Sequence, residues 1–312
     1  AELTFLDPAC GSGNFLTETY ISLRRLENEV IRSLIDAQKG AAAGQIMMGL
    51  EGDLTPIMVS IQQFYGIEIN DFAATVAKTA LWIAESQMMK QTEDIVHMNL
   101  DFLPLKSYVN IVEGNALRLD WAEVVSKDKL DYIMGNPPFV GYSLQSKSQK
   151  DDILNIYVDE KGKPYKTAGK IDYVAGWYFK AAQHMEGTGI RTAFVSTNSI
   201  TQGEQVAGVW KPLYDRFGIH IDFAHRTFRW DSEASLKAHV HCVIVGYSSA
   251  PNSEPKRLYD NDRMQVAENI NAYLIDAPIV FIESRTNSLC DVPTMVYGNK
   301  PTDGGFLFLT PE

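Results

Sequence analysis

The run Asp131-Tyr132-Ile133-Met134-Gly135-Asn136-Pro137-Pro138-Phe139 delivers an Asn-Pro-Pro-aromatic tetrapeptide at the end of a short apolar stretch. Two successive prolines fix their φ angles and remove two N–H donors, so Pro137 and Pro138 leave backbone carbonyls that can only accept. Asn136 adds a side-chain acceptor. An amino group conjugated to a purine ring is a poor nucleophile because its lone pair is delocalised. Two acceptors that grip its hydrogens would localise that pair towards a methyl donor. Phe139 offers a flat face to a base drawn out of its stack. The other reading of the same residues is a rigid Pro-Pro turn with an Asn cap and a core Phe.

Two further pieces bear on the choice. Asp7-Pro8-Ala9-Cys10-Gly11-Ser12-Gly13 follows the apolar segment Leu3 to Leu6. Gly11 and Gly13 make a turn at which backbone can approach a ligand closely, and the helix that follows adds a positive dipole end. A tight connection with no ligand fits this short pattern too. Glu68 closes a second apolar segment, Phe64 to Ile69, where a carboxylate can accept two hydrogen bonds from ribose hydroxyls. It lies much further from the glycines than the usual ~20 positions, an excess accounted for by a glycine-rich insertion over residues 36–60. A solvated charge at a strand end is the alternative for Glu68.

These residues need elements to hold them. Strands are expected at Leu3 to Leu6, Phe64 to Ile69, Val109 to Glu113, Asp131 to Gly135, Ile190 to Ser196, Ile219 to Phe223 and Val240 to Tyr247. Helical spacing follows Gly13 (Phe15, Leu23, Leu26, Val30, Ile31, Leu34) and recurs over Ala73 to Met89 and Tyr173 to Met185. Strands alternating with helices predict a parallel sheet covered on both faces, and ligands bind such sheets at the carboxyl ends of the strands. Pro251 and Pro255 open a tail that does not continue the alternation, so a boundary is expected after Ala250: a catalytic domain over 1–250, then a linker or the start of another region over 251–312.

With 312 residues, 45% of them hydrophobic, the chain can bury a large core. It has no run of the roughly 18 apolar residues a membrane span requires, and its first residues lack a signal-peptide pattern, which predicts a cytoplasmic protein. Cys10, Cys242 and Cys290 form neither a disulfide framework nor a C-x-x-C site. His239 and His241 share a strand face, but no nearby Cys or acidic pair completes a metal site, and none is expected. The net charge of −11 is awkward for a protein that would hold nucleic acid. The segment from Tyr142 to Lys170 is a locally basic loop, with six lysines and four acids (Asp151, Asp152, Asp159, Glu160), and is read as either a solvated face or an approach to DNA phosphates, the second slightly favoured. Thr227-Phe228-Arg229-Trp230, between the last two expected strands, is read as either a base contact or ordinary hairpin packing.

Together the Asp-Pro-Ala-Cys-Gly-Ser-Gly loop, the strand-ending Glu and Asn-Pro-Pro-Phe resemble the amino-methyltransferases. The stretches Tyr65 to Ala74 and Gly169 to Tyr178 are similar to the MmeI-like branch, whose members join nuclease, methyltransferase and target-recognition parts in single restriction–modification chains. The resemblance implies a class I S-adenosylmethionine-dependent methyltransferase fold, Rossmann-like, with a seven-stranded sheet whose last strand, near Val240 to Tyr247, is antiparallel, followed by a C-terminal extension. It implies methylation of the N6 amine of adenine in double-stranded DNA, as part of a restriction–modification or phage-defence enzyme. Asp7, Gly11 and Gly13 would face the methionine end of the cofactor, Glu68 its ribose and Asn115 its adenine, with Pro8, Ala9, Ile69 and Ala116 also among the cofactor-binding residues. Asn115 stands where many relatives have Asp. Relatives also carry a helix ahead of the cofactor loop, whereas six residues precede Asp7 here. The expectation is a piece of a longer polypeptide, with the basic surface, the target-recognition part and any nuclease elsewhere in it.

Other chemistries compete for these residues. Methylation at cytosine C5 needs a thiolate, normally Pro-Cys, and each cysteine follows another residue: Ala9, His241 and Leu289. N4-cytosine methylation and protein-glutamine methylation pose the same problem of a delocalised amine and remain alternatives, as does a subunit that binds cofactor only to position a partner.

Overall fold

The computed structural model describes residues 2–40, 57–97, 100, 110–230, 240–285 and 290–292. Nine strands form one sheet in the order β3-β2-β1-β4-β5-β7-β6-β8-β9. The strands are β1 (Phe5–Asp7), β2 (Phe64–Glu68), β3 (Ile111–Glu113), β4 (Tyr132–Gly135), β5 (Arg191–Thr197), β6 (His220–Trp230), β7 (Val240–Ser248), β8 (Lys256–Asp260) and β9 (Arg263–Ala267). The helices are α1 (Asn14–Gly40), α2 (Asp71–Val96), α3 (Trp121–Val124), α4 (Lys147–Ile156), α5 (Ala175–Met185) and α6 (Gly203–Phe217). The first five strands in chain order are mutually parallel, and β7 runs antiparallel between β5 and β6. This is the class I methyltransferase arrangement expected for the first seven strands.

Side chains alternate along each strand, so one sheet feeds two cores. Phe5, Phe64 and Ile111 pack with Leu16, Tyr20, Ala77 and Leu81 under α1 and α2. Their neighbours Leu6, Ile67 and Ile133 turn the other way, into a larger core with Trp121, Ile153, Tyr178, Phe179, Trp210 and Tyr247. Phe5 stacks between Phe64 and Tyr132 at centroid distances of 5.1 and 5.4 Å. That ladder follows the strand register, in which Phe5 lies opposite both Phe64 and Tyr132 and Asp7 opposite Gly66. The carboxyl ends of β1, β2 and β4 therefore emerge side by side.

Three features depart from the sequence expectation. The basic segment 142–170 contains a helix, α4, started by a capping box in which Ser146 and Gln149 satisfy each other's backbone N–H. Thr227 to Trp230 extends β6 beyond a bulge, with Arg229 opposite His241, rather than lying between strands. Beyond residue 250, β8 pairs with β6 in parallel and β9 with β8, while Ile270, Ala272 and Leu274 sink into the larger core. These strands escape a pattern search because each buries one residue, Leu258 or Ala267. Among the described residues no helix is long and apolar enough to cross a membrane. His239, Leu289 and residues 293–312 of the tail lie outside the described residues, as does most of the 36–60 insertion.

Candidate functional site

The glycine loop is built almost entirely from its own chain's hydrogen bonds. Gly11 and Gly13 adopt φ of +54° and +84°, a region that favours glycine. At Gly13 a Cβ would also lie 2.9 Å from Ala77 Cβ, whereas at Gly11 it would meet nothing within 4 Å. The loop thus packs on α2 at one glycine and faces open space at the other. Cys10 N–H donates to the Ile67 carbonyl (3.1 Å), Gly13 N–H to the Cys10 carbonyl (2.8 Å), and Trp177 Nε1 to the Pro8 carbonyl (3.0 Å). Pro8 is buried and Ala9 half-buried.

Glu68 joins this loop. Its Oε2 accepts from Gly11 N–H at 2.9 Å and its Oε1 from Asn70 N–H at 3.0 Å. Both oxygens keep a further lone pair, and Ile69 beside it is 68% exposed, an apolar face left open at the end of β2. Gly114 N–H donates to the Glu68 carbonyl (2.8 Å), which brings the β3 loop alongside. In that loop Asn115 Oδ1 accepts from Leu117 N–H (2.9 Å) and Asn115 Nδ2 donates to Asp152 Oδ2 (3.0 Å). Ala116, by contrast, is buried in the larger core, and its carbonyl accepts from Trp121 Nε1.

Asp7 ends β1 and is 1% exposed. Its Oδ1 accepts from Ala9 N–H at 3.0 Å. Burial pushes its carboxyl from 3.8 up to about 7, against the Ala9 hydrogen bond and with a contribution from the Glu68 charge. A Cβ at Gly135 would lie 2.4 Å from Asp7 Oδ1, so only glycine lets β4 bring Asn136 this close to β1. Burial raises the Cys10 thiol well above its ordinary range, which leaves it inert as a nucleophile.

At the end of β4, Asn136 Oδ1 is buried and has no hydrogen-bond partner among the described residues. Pro137 is buried, Pro138 exposed and Phe139 half-buried. The chain after them is pinned. Tyr173 N–H donates to the Val140 carbonyl (2.9 Å) and Tyr142 N–H to Asp172 Oδ1 (2.9 Å), while Asp172 Oδ2 accepts from Ser199 Oγ (2.6 Å). Gly11, Glu68, Asp7, Asn115 and Asn136 are thus gathered at one edge of the sheet. Asp172 and Asp152 are site residues that sequence reasoning missed. The available signal for Asp172 was its place in the Gly169 to Tyr178 stretch; for Asp152 it was the Ser146/Gln149 capping box, which makes its segment a helix.

The sequence matches the family described as MmeI, DNA-methyltransferase domain, over residues 1–260. The chain belongs to that family. It is 40% identical over 312 residues to DNA methyltransferase A of Bacillus subtilis (strain 168), covering 99% of this chain and 33% of that protein. It is also similar to the solved structure of the Type IIL restriction-modification enzyme MmeI in complex with DNA, with a TM-score of 0.85 and 44% identity over 97% of this chain and 39% of that one. The chain therefore spans about a third of the curated relative and about two-fifths of the MmeI structure.

Proposed function

We propose that this chain transfers a methyl group from S-adenosylmethionine to the N6 amine of adenine in double-stranded DNA, as the catalytic part of a longer restriction–modification enzyme. The observation that carries this reading is the buried Oδ1 of Asn136, without a partner among the described residues, beside the Asp7 carboxyl and the glycine loop. A buried acceptor without a donor costs free energy of about 1–3 kcal/mol, and a protein that keeps one at a strand end has a use for it. An amine N–H is the donor it lacks.

The donor set fits the cofactor. S-adenosylmethionine supplies, when bound, an electrophilic methyl group on a cationic sulfonium. Asp7 offers a carboxylate where positive charge is welcome, and Glu68 has free lone pairs for two ribose hydroxyls. Ile69 offers an apolar face to a purine, Asn115 a carboxamide, and Gly11 an open backbone.

The remaining work falls to Asn136 and the prolines. Asn136 Oδ1 accepts one amine hydrogen and a proline carbonyl the other, so the amine is held in one place and its lone pair is freed from the ring. As positive charge develops on nitrogen, both acceptors stabilise it without rearranging. Phe139 stacks on the extruded base, whose unpaired state the protein must sustain. With Cys10 buried and protonated, transfer is direct, and the methylated nitrogen returns to neutrality by losing one of its protons to solvent.

The test is mass analysis of nucleosides from DNA incubated with the native full-length protein and isotopically labelled cofactor. Labelled N6-methyladenine is expected. Label confined to N4-methylcytosine, or DNA nucleosides left unlabelled, would overturn the assignment of the target.

A further inference from the structure

Asp152 is a carboxylate for which the chemistry above has no use, yet it is 4% exposed and saturated with donors. From α4 it reaches the loop after β3. Its Oδ2 accepts from Asn115 Nδ2 (3.0 Å) and from the Tyr173 hydroxyl (2.9 Å), and its Oδ1 from Arg118 Nε (2.6 Å). Burial first, and the bond to Asp152 second, hold the Tyr173 phenol well above its ordinary range, so it stays a donor. Arg118 balances the charge from a mostly exposed position.

The consequence is for Asn115. A carboxamide can ordinarily turn over and exchange its oxygen with its nitrogen at little cost. Here one end faces a carboxylate, which only accepts, and the other faces the Leu117 N–H, which only donates. Turning the amide over would set oxygen against carboxylate and N–H against N–H. One orientation survives, with one lone pair on Oδ1 still unspent and the Tyr173 hydroxyl also within hydrogen-bond reach of the amide. The same contact accounts for Asn in place of Asp at position 115, since two carboxylates at this separation cannot both ionise.

Resting on the cofactor reading above, we propose that Asp152 is a positioning residue that locks the Asn115 carboxamide and thereby makes the cofactor site prefer a 6-amino purine over a 6-oxo purine. The locked Oδ1 accepts from the exocyclic amine. An amide free to turn over would present its NH2 group to a 6-oxo oxygen instead.

Titration calorimetry on the native full-length protein tests this, with S-adenosylhomocysteine and its hypoxanthine counterpart, S-inosylhomocysteine, as probes. The wild type should prefer the adenine ligand by about tenfold, the worth of one good hydrogen bond. Asp152→Ala should erase most of that preference while changing affinity for the hypoxanthine ligand far less. Asn115→Asp should weaken both ligands, and the exchange Asn115→Asp with Asp152→Asn should recover the adenine preference, because the carboxylate–carboxamide pair is restored in reverse. That exchange also keeps the test decisive if Asp152→Ala does not fold. Equal losses for both ligands in Asp152→Ala, or an exchange no better than Asn115→Asp alone, would overturn the inference and leave the cofactor reading standing. A wild type that binds neither ligand would remove both.

Discussion

The two halves of the site are finished to different degrees. On the β1–β2 side, the glycine loop is closed by its own hydrogen bonds, and even the Glu68 carboxylate already holds Gly11 and Asn70. On the β4 side, Asn136 keeps a buried acceptor with no donor among the described residues, and Tyr142 and Leu144 stand 47% and 80% exposed on the turn that follows. Under the function proposed above, the contrast matches two kinds of work. A cofactor site gains from being pre-formed, because ordering costs are met before the ligand arrives. A catalytic acceptor gains from being held unsatisfied in a rigid frame, because its interaction is then reserved for the transition state.

Asn136→Ala breaks this comparison most sharply. Turnover should fall about 10²–10³-fold, as for removal of a preorganised polar group at a reacting centre, with cofactor affinity nearly unchanged. Single-turnover kinetics beside titration calorimetry would show the split, and near-normal methyl transfer would return Asn136 to the role of a turn residue.

Glu68→Ala attacks the other half. Affinity for cofactor should drop by roughly 1.5–3 kcal/mol for each lost bond to the carboxylate. Thermal stability should fall as well, because Gly11 N–H and Asn70 N–H lose their acceptor. Unchanged affinity with lowered melting temperature would leave Glu68 a purely structural link.

Phe139→Ala should cost about 1–3 kcal/mol of stacking on an extruded base. Fluorescence of a 2-aminopurine placed at the target position reads base capture directly, and the loss should disappear when a single-stranded or mismatched target removes the unstacking cost.

Asp7 gives the smallest effect and the one that sharpens the comparison by pH. Its carboxyl is raised from 3.8 to about 7 in the folded protein, so it stabilises the fold fully only below the ordinary carboxylate range and loses that contribution as pH rises through about 7. A cationic ligand reverses the preference by favouring the ionised form. Cofactor affinity should rise with pH up to about 7, by at most about tenfold per unit, and level off above. Asp7→Asn should flatten this profile while raising the melting temperature at pH 8. A wild-type profile flat between pH 5.5 and 8 would show that Asp7 does not face the cation.

What the sequence disclosed was whatever is local. The strand ends, Gly11 and Gly13, Glu68 and Asn136 stand next to the apolar runs that position them, so type and spacing suffice. Helix α6 was hidden because Gly203, Gly208 and Pro212 argue against a helix, while the face that holds it, Val206, Val209, Trp210, Leu213 and Phe217, is defined by burial. Asp152 and Asp172 were hidden for another reason. Their partners Asn115 and Tyr142 lie 37 and 30 residues away, and among the lysines of a basic segment Asp152 counts only as one more acid. The seven-stranded expectation missed β8 and β9 because one buried side chain apiece leaves no alternation to read.

The pairing of β8 along β6 has a consequence for how this protein can be divided. Cut after Ala250, the sheet would end at β6, with the row of backbone groups around Phe223 to His225 that now meets Arg257 to Tyr259 left uncovered. Such an open margin is a template for another chain's strand, and the usual outcome is self-association through the sheet. The hairpin of β8 and β9 covers that row and moves the margin outward to β9, whose exposed residues are Arg263, Met264, Gln265 and Val266. Any attempt to transplant this catalytic unit into another polypeptide should carry the chain through at least Ala267 and, because Ile270, Ala272 and Leu274 plug the core beneath, preferably through Ile275.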